Sequence, residues 1–356
     1  MGSELVLSSG ISDNPLMSCV ASVTIHASQF PHAVRQDLLE SLRNRQVNHK
    51  FHYDSVKQTQ KWLVLHQAFS PSRNDPECAA VYRAVFAAAV AGCSSQEVHV
   101  IGLGCGGGQK DTQLLSQIVA LGKRVTYTPC DVSTAMVLVA RNSSLSVVPE
   151  EKCFPLVCDL LSTDDLPAVI ENHSPAGSIR LITFFGMIPN FEPEQIMPRL
   201  ASMVRTEDLL LFSANLAPGV DYLAGVQRIL PQYDNKLTRE WLMTFLLDLG
   251  VERSDGELRF SVQEFPEGSG LKRVEANFHF DSSRVVEIEG EKFEFRSGST
   301  IRLFFSYRYT PELVRNLLAR QGIEVSQHWI AASGEEGVFL CRRGQTSPTP
   351  GQHANG

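Results

Sequence analysis

A chain of 356 residues, 43% hydrophobic and 20% charged, is long enough to bury a large core as one big domain or two modest ones, and it has the composition of a globular protein. Its net charge of −7 offers no global attraction to nucleic acid or to an anionic membrane. No apolar run approaches the roughly 20 residues of a spanning helix, so neither a nucleic acid nor a membrane is an expected partner.

The N-terminus has no basic segment leading into an apolar run, which predicts no signal peptide. Val6 stands where a myristoylation signal needs Ser or Thr. The eight cysteines include no C-x-x-C pair, and the histidines do not cluster near them, so no metal site is expected. Free buried thiols in a reducing, cytoplasmic setting are the simpler reading.

Residues 1–22 are Ser-rich and aperiodic and read as a loose lead. Apolar spacing predicts helices from Phe30 to Arg45 and from Val56 to about Gln67, with "KFHYDS" as a bridge between them. "FSPSRNDPE" reads as a turn or loop, and "ECAAVYRAVFAAAVAG" as a helix stopped by Gly92. Strands and helices then alternate. The predicted strands are "EVHVIGL", "RVTYTPCDV", "CFPLVCDL", "IRLITFFGM" and "DLLLFSANL", with a helical segment after each of the first four. This pattern argues a parallel sheet covered on both faces. Residues 217–250 read as helical, 257–308 as successive strands, "TPELVRNLLARQG" as a helix, and "EVSQHWIAASGEEGVFLCRR" as strand, turn, strand, with "SGEEG" the turn. The tail "GQTSPTPGQHANG" reads as disordered.

The first strand meets a glycine cluster, "GLGCGGGQKD", before a helix. Gly102, Gly104 and Gly107 satisfy G-x-G-x-x-G; Gly102, Gly104 and Gly106 satisfy the G-x-G-x-G of S-adenosylmethionine (SAM)-dependent methyltransferases. Both let backbone amides and a helix N-terminus approach a ligand. A Walker A loop is excluded, because no G-K-[ST] closes the run. Asp131 ends the second strand, where a carboxylate can accept both ribose hydroxyls; NAD enzymes and methyltransferases share that device. Asp159 ends the third strand, where a carboxylate can accept an adenine amino group with Leu160 against the ring. That second acid, and the closing helix and strand pair, favour the methyltransferase over an NAD(P)-dependent oxidoreductase.

Six motifs carry a resemblance. "LGCGGGQKD" matches an L-G-S-G-x-S-x-K-T loop with Lys110 in the lysine place. "CDVS", "CDL" and "FGMIPNF" match D-I/V-S, G-D-F and G-x-x-I-G-N-F, while "KFHYDS" with "FSPSR" and "IRLFFSYRY" match K-x-x-Y-D with Y-Y-P-T-R and I-R-T-E-I-S-x-K-Y. In order across residues about 38 to 343, these resemble the histidine Nα-methyltransferases of ergothioneine biosynthesis and their fungal relatives that N-methylate prenylated tryptophan. The resemblance implies an α/β class I SAM-dependent methyltransferase. Its Rossmann-like core would be a mostly parallel seven-stranded sheet with one antiparallel strand, joined to a smaller α+β substrate domain. It divides the chain into a lead (1–22), N-terminal helices (23–75), core (76–216), insertion (217–300), a C-terminal part completing core and pocket (301–343) and a tail (344–356). The N-terminal helices and the insertion would form the substrate domain.

The expected cofactor is SAM, with S-adenosylhomocysteine (SAH) as product, held by Gly102, Gly104, Cys105, Gly106, Lys110, Asp131, Val132, Asp159 and Leu160. Asn190 and Tyr53 are the expected catalytic residues, placed to hold an amine or its carboxylate. Phe69, Ser70, Asn190, Phe304 and Ser306 are the expected substrate contacts. Departures from the family pattern shape the acceptor. The family's Glu in T-E-I-S, which helps bind imidazole, corresponds to Phe304, whereas Ser306 is kept. The aromatic pair before P-T-R is Phe69-Ser70, and only Tyr222 or Tyr233 stands near the family's A-Y-D-D helix. An unpaired ring N–H there would cost about 1–3 kcal/mol. The expected activity is therefore N-methylation of a small amino acid or amine other than histidine, with transfer to oxygen or a SAM-binding protein without turnover as alternatives. Strict alternation along "IRLFFSYRY" predicts Arg302, Phe304, Ser306 and Arg308 on one face.

Overall fold

The computed structural model describes residues 20–344. The expectations for residues 1–19 and 345–356, Cys19 among them, lie outside the described residues. Chain order begins with a two-residue strand, Thr24–Ile25 (β1), then Pro31–Asn44 (α1), a 3₁₀ turn at His49–His52, Val56–Phe69 (α2), a single helical turn Pro71–Asn74 (α3) and Pro76–Ala91 (α4). The helix starts are legible chemically. Ser55 and Gln58 form a reciprocal capping box for α2. Asp75 caps α4 with Pro76 in its first turn. The loop expected over "FSPSRNDPE" is thus partly helical, because Pro71 fits the first turn of a helix.

The alternating part supplies Glu97–Leu103 (β2), Gln109–Ala120 (α5), Arg124–Asp131 (β3), Thr134–Ser144 (α6), Leu156–Val157 (β4), Leu166–Glu171 (α7), Ile179–Phe184 (β5), Pro193–Met203 (α8) and Leu209–Asn215 (β6). β4 is far shorter than the expected 153–160. Pro155 has no N–H to give to a neighbouring strand, so pairing is reduced to a lone bridge at Cys153 and the two residues after the proline. Next come Tyr222–Tyr233 (α9), Lys236–Asp248 (α10), Gly256–Glu264 (β7), Lys272–Phe280 (β8), Arg284–Ile288 (β9), Glu291–Phe295 (β10) and Thr300–Arg308 (β11). Pro311–Arg320 (α11), Ile323–Ile330 (β12) and Glu336–Arg343 (β13) close the chain.

The main sheet has eight strands in the order β1-β4-β3-β2-β5-β6-β13-β12. β13 inserts antiparallel between β6 and β12; the other pairings are parallel. This is the expected seven-stranded arrangement with one antiparallel strand, extended by β1 at its edge. Successive β2 residues feed opposite faces. Val98 and Val100 pack with Tyr82 and Phe86 of α4 and Leu114 of α5, while Ile101 and Leu103 join Ile196 and Leu200 of α8.

A second sheet, β11-β8-β7, stands beside the first, with β9 and β10 as a separate hairpin. Leu39, Leu42, Val47 and Phe51 from the N-terminal part share one apolar cluster with Trp241, Leu242 and Leu246 of α10 and with Phe278, Ile301 and Leu303 of this sheet. A register shift between Arg302 and Phe304 breaks the alternation expected along β11. Arg302 consequently turns to the face of Phe305, its guanidinium 4.9 Å from that ring and 3.5 Å from Glu275, rather than sharing a face with Phe304.

Candidate functional site

β2 pairs with β3 on one side and β5 on the other, so the strand order reverses there, and the crevice at the carboxyl ends of these strands is where an open α/β sheet binds ligands. A cavity of about 620 Å³ lies along those ends. Every residue expected at the site lines it except Gly102: Tyr53, Phe69, Ser70, Gly104, Cys105, Gly106, Lys110, Asp131, Val132, Asp159, Leu160, Asn190, Phe304 and Ser306.

Gly104 and Gly106 sit at φ 65 and 51, a region that favours glycine. A side chain at Gly104 would also run into Met187. This turn brings the Gly106 amide to Asp131, whose Oδ2 accepts from Gly106 N and whose Oδ1 accepts from Ser133 N, both at 3.0 Å. Burial raises the Asp131 pKa against the pull of these amides. Asp159, 8% exposed, accepts from Leu161 N at 2.9 Å and stands 3.7 Å from the Lys50 ammonium. Cys105 lines the wall as a protonated thiol, since burial pushes its pKa well up. Two carboxylates beside a turn of bare backbone fit an adenosyl group carrying a cationic sulfur.

Part of the cavity wall is aromatic. Tyr53 lies 5.9 Å from Trp62 and 5.5 Å from Trp241; Trp241 lies 5.8 Å from Phe304, and Phe304 6.2 Å from Tyr233. Phe69 stands at the rim, 51% exposed, and Ser70 is buried. Burial pushes the Tyr53 phenol far above its ordinary pKa, with the Asp131 charge adding to the effect. Its hydroxyl has no hydrogen-bond partner among the described residues. Asn190 donates from Nδ2 to the Phe305 carbonyl at 2.8 Å. A carbonyl can only accept, so this bond fixes the amide's orientation and leaves Oδ1 as an acceptor. Tyr233 accepts from Arg308 at 2.9 and 3.1 Å and meets the Ser306 hydroxyl at 2.8 Å. Of the two tyrosines considered for the A-Y-D-D place, Tyr233 therefore reaches the cavity. Tyr222 does not: its hydroxyl accepts from Lys272 N and donates to the Arg308 carbonyl, tying β8 to β11.

Several lining residues escaped sequence reasoning. Glu336, read as part of a turn, opens β13 and is 8% exposed at the cavity wall. The signal was a lone acid starting an otherwise apolar strand, "EGVFLC". Trp62, Leu65, His66 and Phe69 share one face of α2 at helical spacing and line the cavity; the helix was expected, its role was not. His66 stacks on Trp62 at 4.7 Å, and burial with the Lys110 charge lowers its pKa to about 4. His328 is exposed, its ring stacked parallel to that of Phe339 at 5.9 Å between centres. Among the described residues no group of His, Cys, Asp and Glu could hold a metal ion, and no helix is long and apolar enough to cross a membrane.

The profile of the SAM-dependent, histidine-specific methyltransferases matches residues 34–343. The N-methyltransferase imqF of Aspergillus flavus is 26% identical over 246 residues, which cover 67% of this chain and 66% of that relative, just under two thirds of its length. Among solved structures, the methyltransferase CcbJ of Streptomyces caelestis is 12% identical with a TM-score of 0.38, covering 77% of this chain and 99% of its own. Magnesium protoporphyrin IX methyltransferase (ChlM) of Synechocystis PCC 6803, solved with SAH, is 13% identical with a TM-score of 0.39, covering 88% and 99%.

Proposed function

This chain belongs to the family of SAM-dependent, histidine-specific methyltransferases, and from that premise we propose that it N-methylates a small amine or amino acid with an apolar, aromatic-compatible side chain, and that histidine is a poor acceptor. The observation that carries the reading is one shared cavity. The glycine turn, Asp131 and Asp159 line it together with Asn190 and the rings of Tyr53, Trp62, Trp241 and Phe304.

When bound, the sulfonium supplies an electrophilic methyl. The chain's task is to hold it and to bring up an amine with a free lone pair. Asp131 and Asp159 keep acceptor capacity after their backbone bonds, for ribose hydroxyls and an adenine amino group, with Val132 and Leu160 beside them. Asn190 Oδ1 accepts an amine N–H and aims the lone pair along the line of displacement. The Tyr53 hydroxyl, without a protein partner, supplies a second polar contact. The rings of Trp62, Trp241, Phe304 and Tyr233 exclude water, and their faces favour the cationic character that grows on nitrogen as the C–N bond forms and the C–S bond breaks. The amine's surplus proton leaves to solvent before or after transfer. The Phe304 ring offers no acceptor to an imidazole N–H, which is what disfavours histidine.

Titration calorimetry with SAH, followed by a methyl-labelled donor offered to histidine, tryptophan, phenylalanine and biogenic amines with mass readout, tests the proposal. SAH binding and methylated aromatic or aliphatic amines are expected. Absence of SAH binding refutes the methyltransferase reading, and efficient trimethylation of histidine refutes the acceptor assignment.

A further inference from the structure

Glu336 is a buried carboxylate for which the reading above has no use. It opens β13 opposite Asn215 of β6, and it accepts from the Tyr82 hydroxyl through Oε1. Lys110 Nζ stands 3.5 Å from the same oxygen, donates to the Tyr82 hydroxyl at 2.7 Å and lies 4.0 Å above the Tyr82 ring centre. Oε2 meets only the weak thiol donor of Cys78, at 3.5 Å. Burial acts to raise the Glu336 pKa, but the Lys110 ammonium and the bonds from Tyr82 and Cys78 outweigh it, so the carboxyl titrates below its ordinary range. The cavity wall therefore carries an anion and a cation side by side.

A buried ion pair seldom repays its own desolvation, so such a pair is a weak stabilising device. Facing a cavity, it is instead complementary to a ligand that brings the opposite charges on neighbouring atoms. An α-amino acid end is such a ligand. Two other carboxylates of the trough are more heavily engaged, whereas Asp159 Oδ2 meets only the Lys50 ammonium, at 3.7 Å. Asp111 accepts from Tyr127 and Thr183 at 2.7 and 2.8 Å, one bond on each oxygen, and Asp131 accepts a backbone amide on each oxygen. Glu336 Oε2, in contrast to the oxygens of Asp111 and Asp131, has no N–H or O–H donor.

We infer that Glu336 receives the α-ammonium of the methyl donor's amino-acid end while Lys110 receives its α-carboxylate, Tyr82 holding the two side chains in register. The inference rests on the SAM reading above and adds to it a binding residue that no motif marks. The same pair would reject nucleosides that lack the zwitterion, which makes it a determinant of cofactor selection.

Three probes measured by calorimetry test this: SAH, an SAH analogue lacking the α-amino group, and 5′-methylthioadenosine, which lacks the amino-acid end altogether. The wild-type chain is expected to bind SAH at least about 10-fold tighter than the desamino analogue, a charge-assisted bond's worth of selectivity. Glu336→Gln is expected to lose about 10-fold or more on SAH and little on the other two probes. Equal wild-type affinity for SAH and the desamino analogue overturns the inference without needing a folded variant. Glu336→Gln weakening all three probes alike also overturns it, since that is the mark of a structural role. A wild-type chain that binds methylthioadenosine and SAH equally keeps the adenosine site and loses this inference; one that binds none of the three loses the SAM reading itself.

Discussion

The Asp111 carboxylate occupies the space that a side chain at Gly102 would need. A Cβ built on Gly102 would overlap Asp111 Oδ2 and lie 3.2 Å from the Tyr127 hydroxyl. The first glycine of the turn is thus required by a buried acid of the chain itself, and it is the expected cofactor residue that does not line the cavity. Gly102→Ala is expected to destabilise the fold by about 1–3 kcal/mol, as overpacking does. In an Asp111→Ala background the same change should cost much less, giving a coupling of about 1 kcal/mol or more in a double-mutant cycle followed by denaturant unfolding. Simple additivity would show that the two sites are independent.

Asp111 also gives the fold a distinct pH signature. Burial lifts its pKa from the ordinary 3.8 to about 6, against the hydrogen bonds from Tyr127 and Thr183 and the Lys110 charge. Between those values the folded chain binds more protons at this group than the unfolded chain does. Its contribution to stability is therefore fully present below about pH 4, falls as pH rises to about 6, and is level above that. A two-unit rise corresponds to at most about 3 kcal/mol. Asp111→Asn can accept from one hydroxyl and donate to the other, so the variant should fold and lack this slope. Unfolding free energies of the two proteins from pH 4 to 7 should diverge with rising pH, the variant becoming relatively more stable; parallel curves would contradict the assignment.

The core was legible because its signals are local. Alternating apolar runs and helix caps fix β2, β3, β5 and β6, and glycines with an acid at each strand end mark one half of the cavity. What the sequence hid depends on contacts far apart in the chain. Pro155 trims β4, and the register shift after Arg302 turns that arginine away from Phe304. Glu336 becomes a cavity residue only because β13 inserts beside β6, which brings a carboxylate from near the C-terminus against Lys110 and Tyr82. The Trp62–Phe69 face of α2 looks like ordinary core spacing until the helix is seen to lie over the glycine turn, where a Cβ on Gly106 would come within 3.3 Å of Trp62.

Phe304 is expected to set acceptor choice. It is 6% exposed, with His49 at 5.2 Å, Trp241 at 5.8 Å and Tyr233 at 6.2 Å by ring centres. Phe304→Glu places at this position the carboxylate that the family pattern carries there. Burying a polar group among these rings should cost about 1–3 kcal/mol of stability. It should also raise the ratio of histidine to aromatic-amine methylation by about 10-fold or more, because an imidazole N–H then finds an acceptor. An unchanged ratio in a competition assay, with the variant shown to be folded and to bind SAH, would remove Phe304 from the selectivity argument.

Asn190 offers the sharpest separation of donor binding from acceptor positioning. Its Nδ2 is committed to the Phe305 carbonyl, which leaves Oδ1 as the acceptor. Asn190→Asp keeps the shape but removes the donor, so an acceptor faces the carbonyl and the side chain swings or the loop shifts. Displacement of a positioning group by about 1 Å is enough to cost about 100-fold in rate. The expected result is a fall of about that size in single-turnover methyl transfer, with SAH affinity within about 3-fold of wild type, since the donor end of the cavity is untouched. Asn190→Ala, which introduces no charge, should lose a similar factor. If both variants transfer methyl groups at the wild-type rate, the amine is held by another residue, and the Tyr53 hydroxyl, with no protein partner of its own, becomes the group to substitute next.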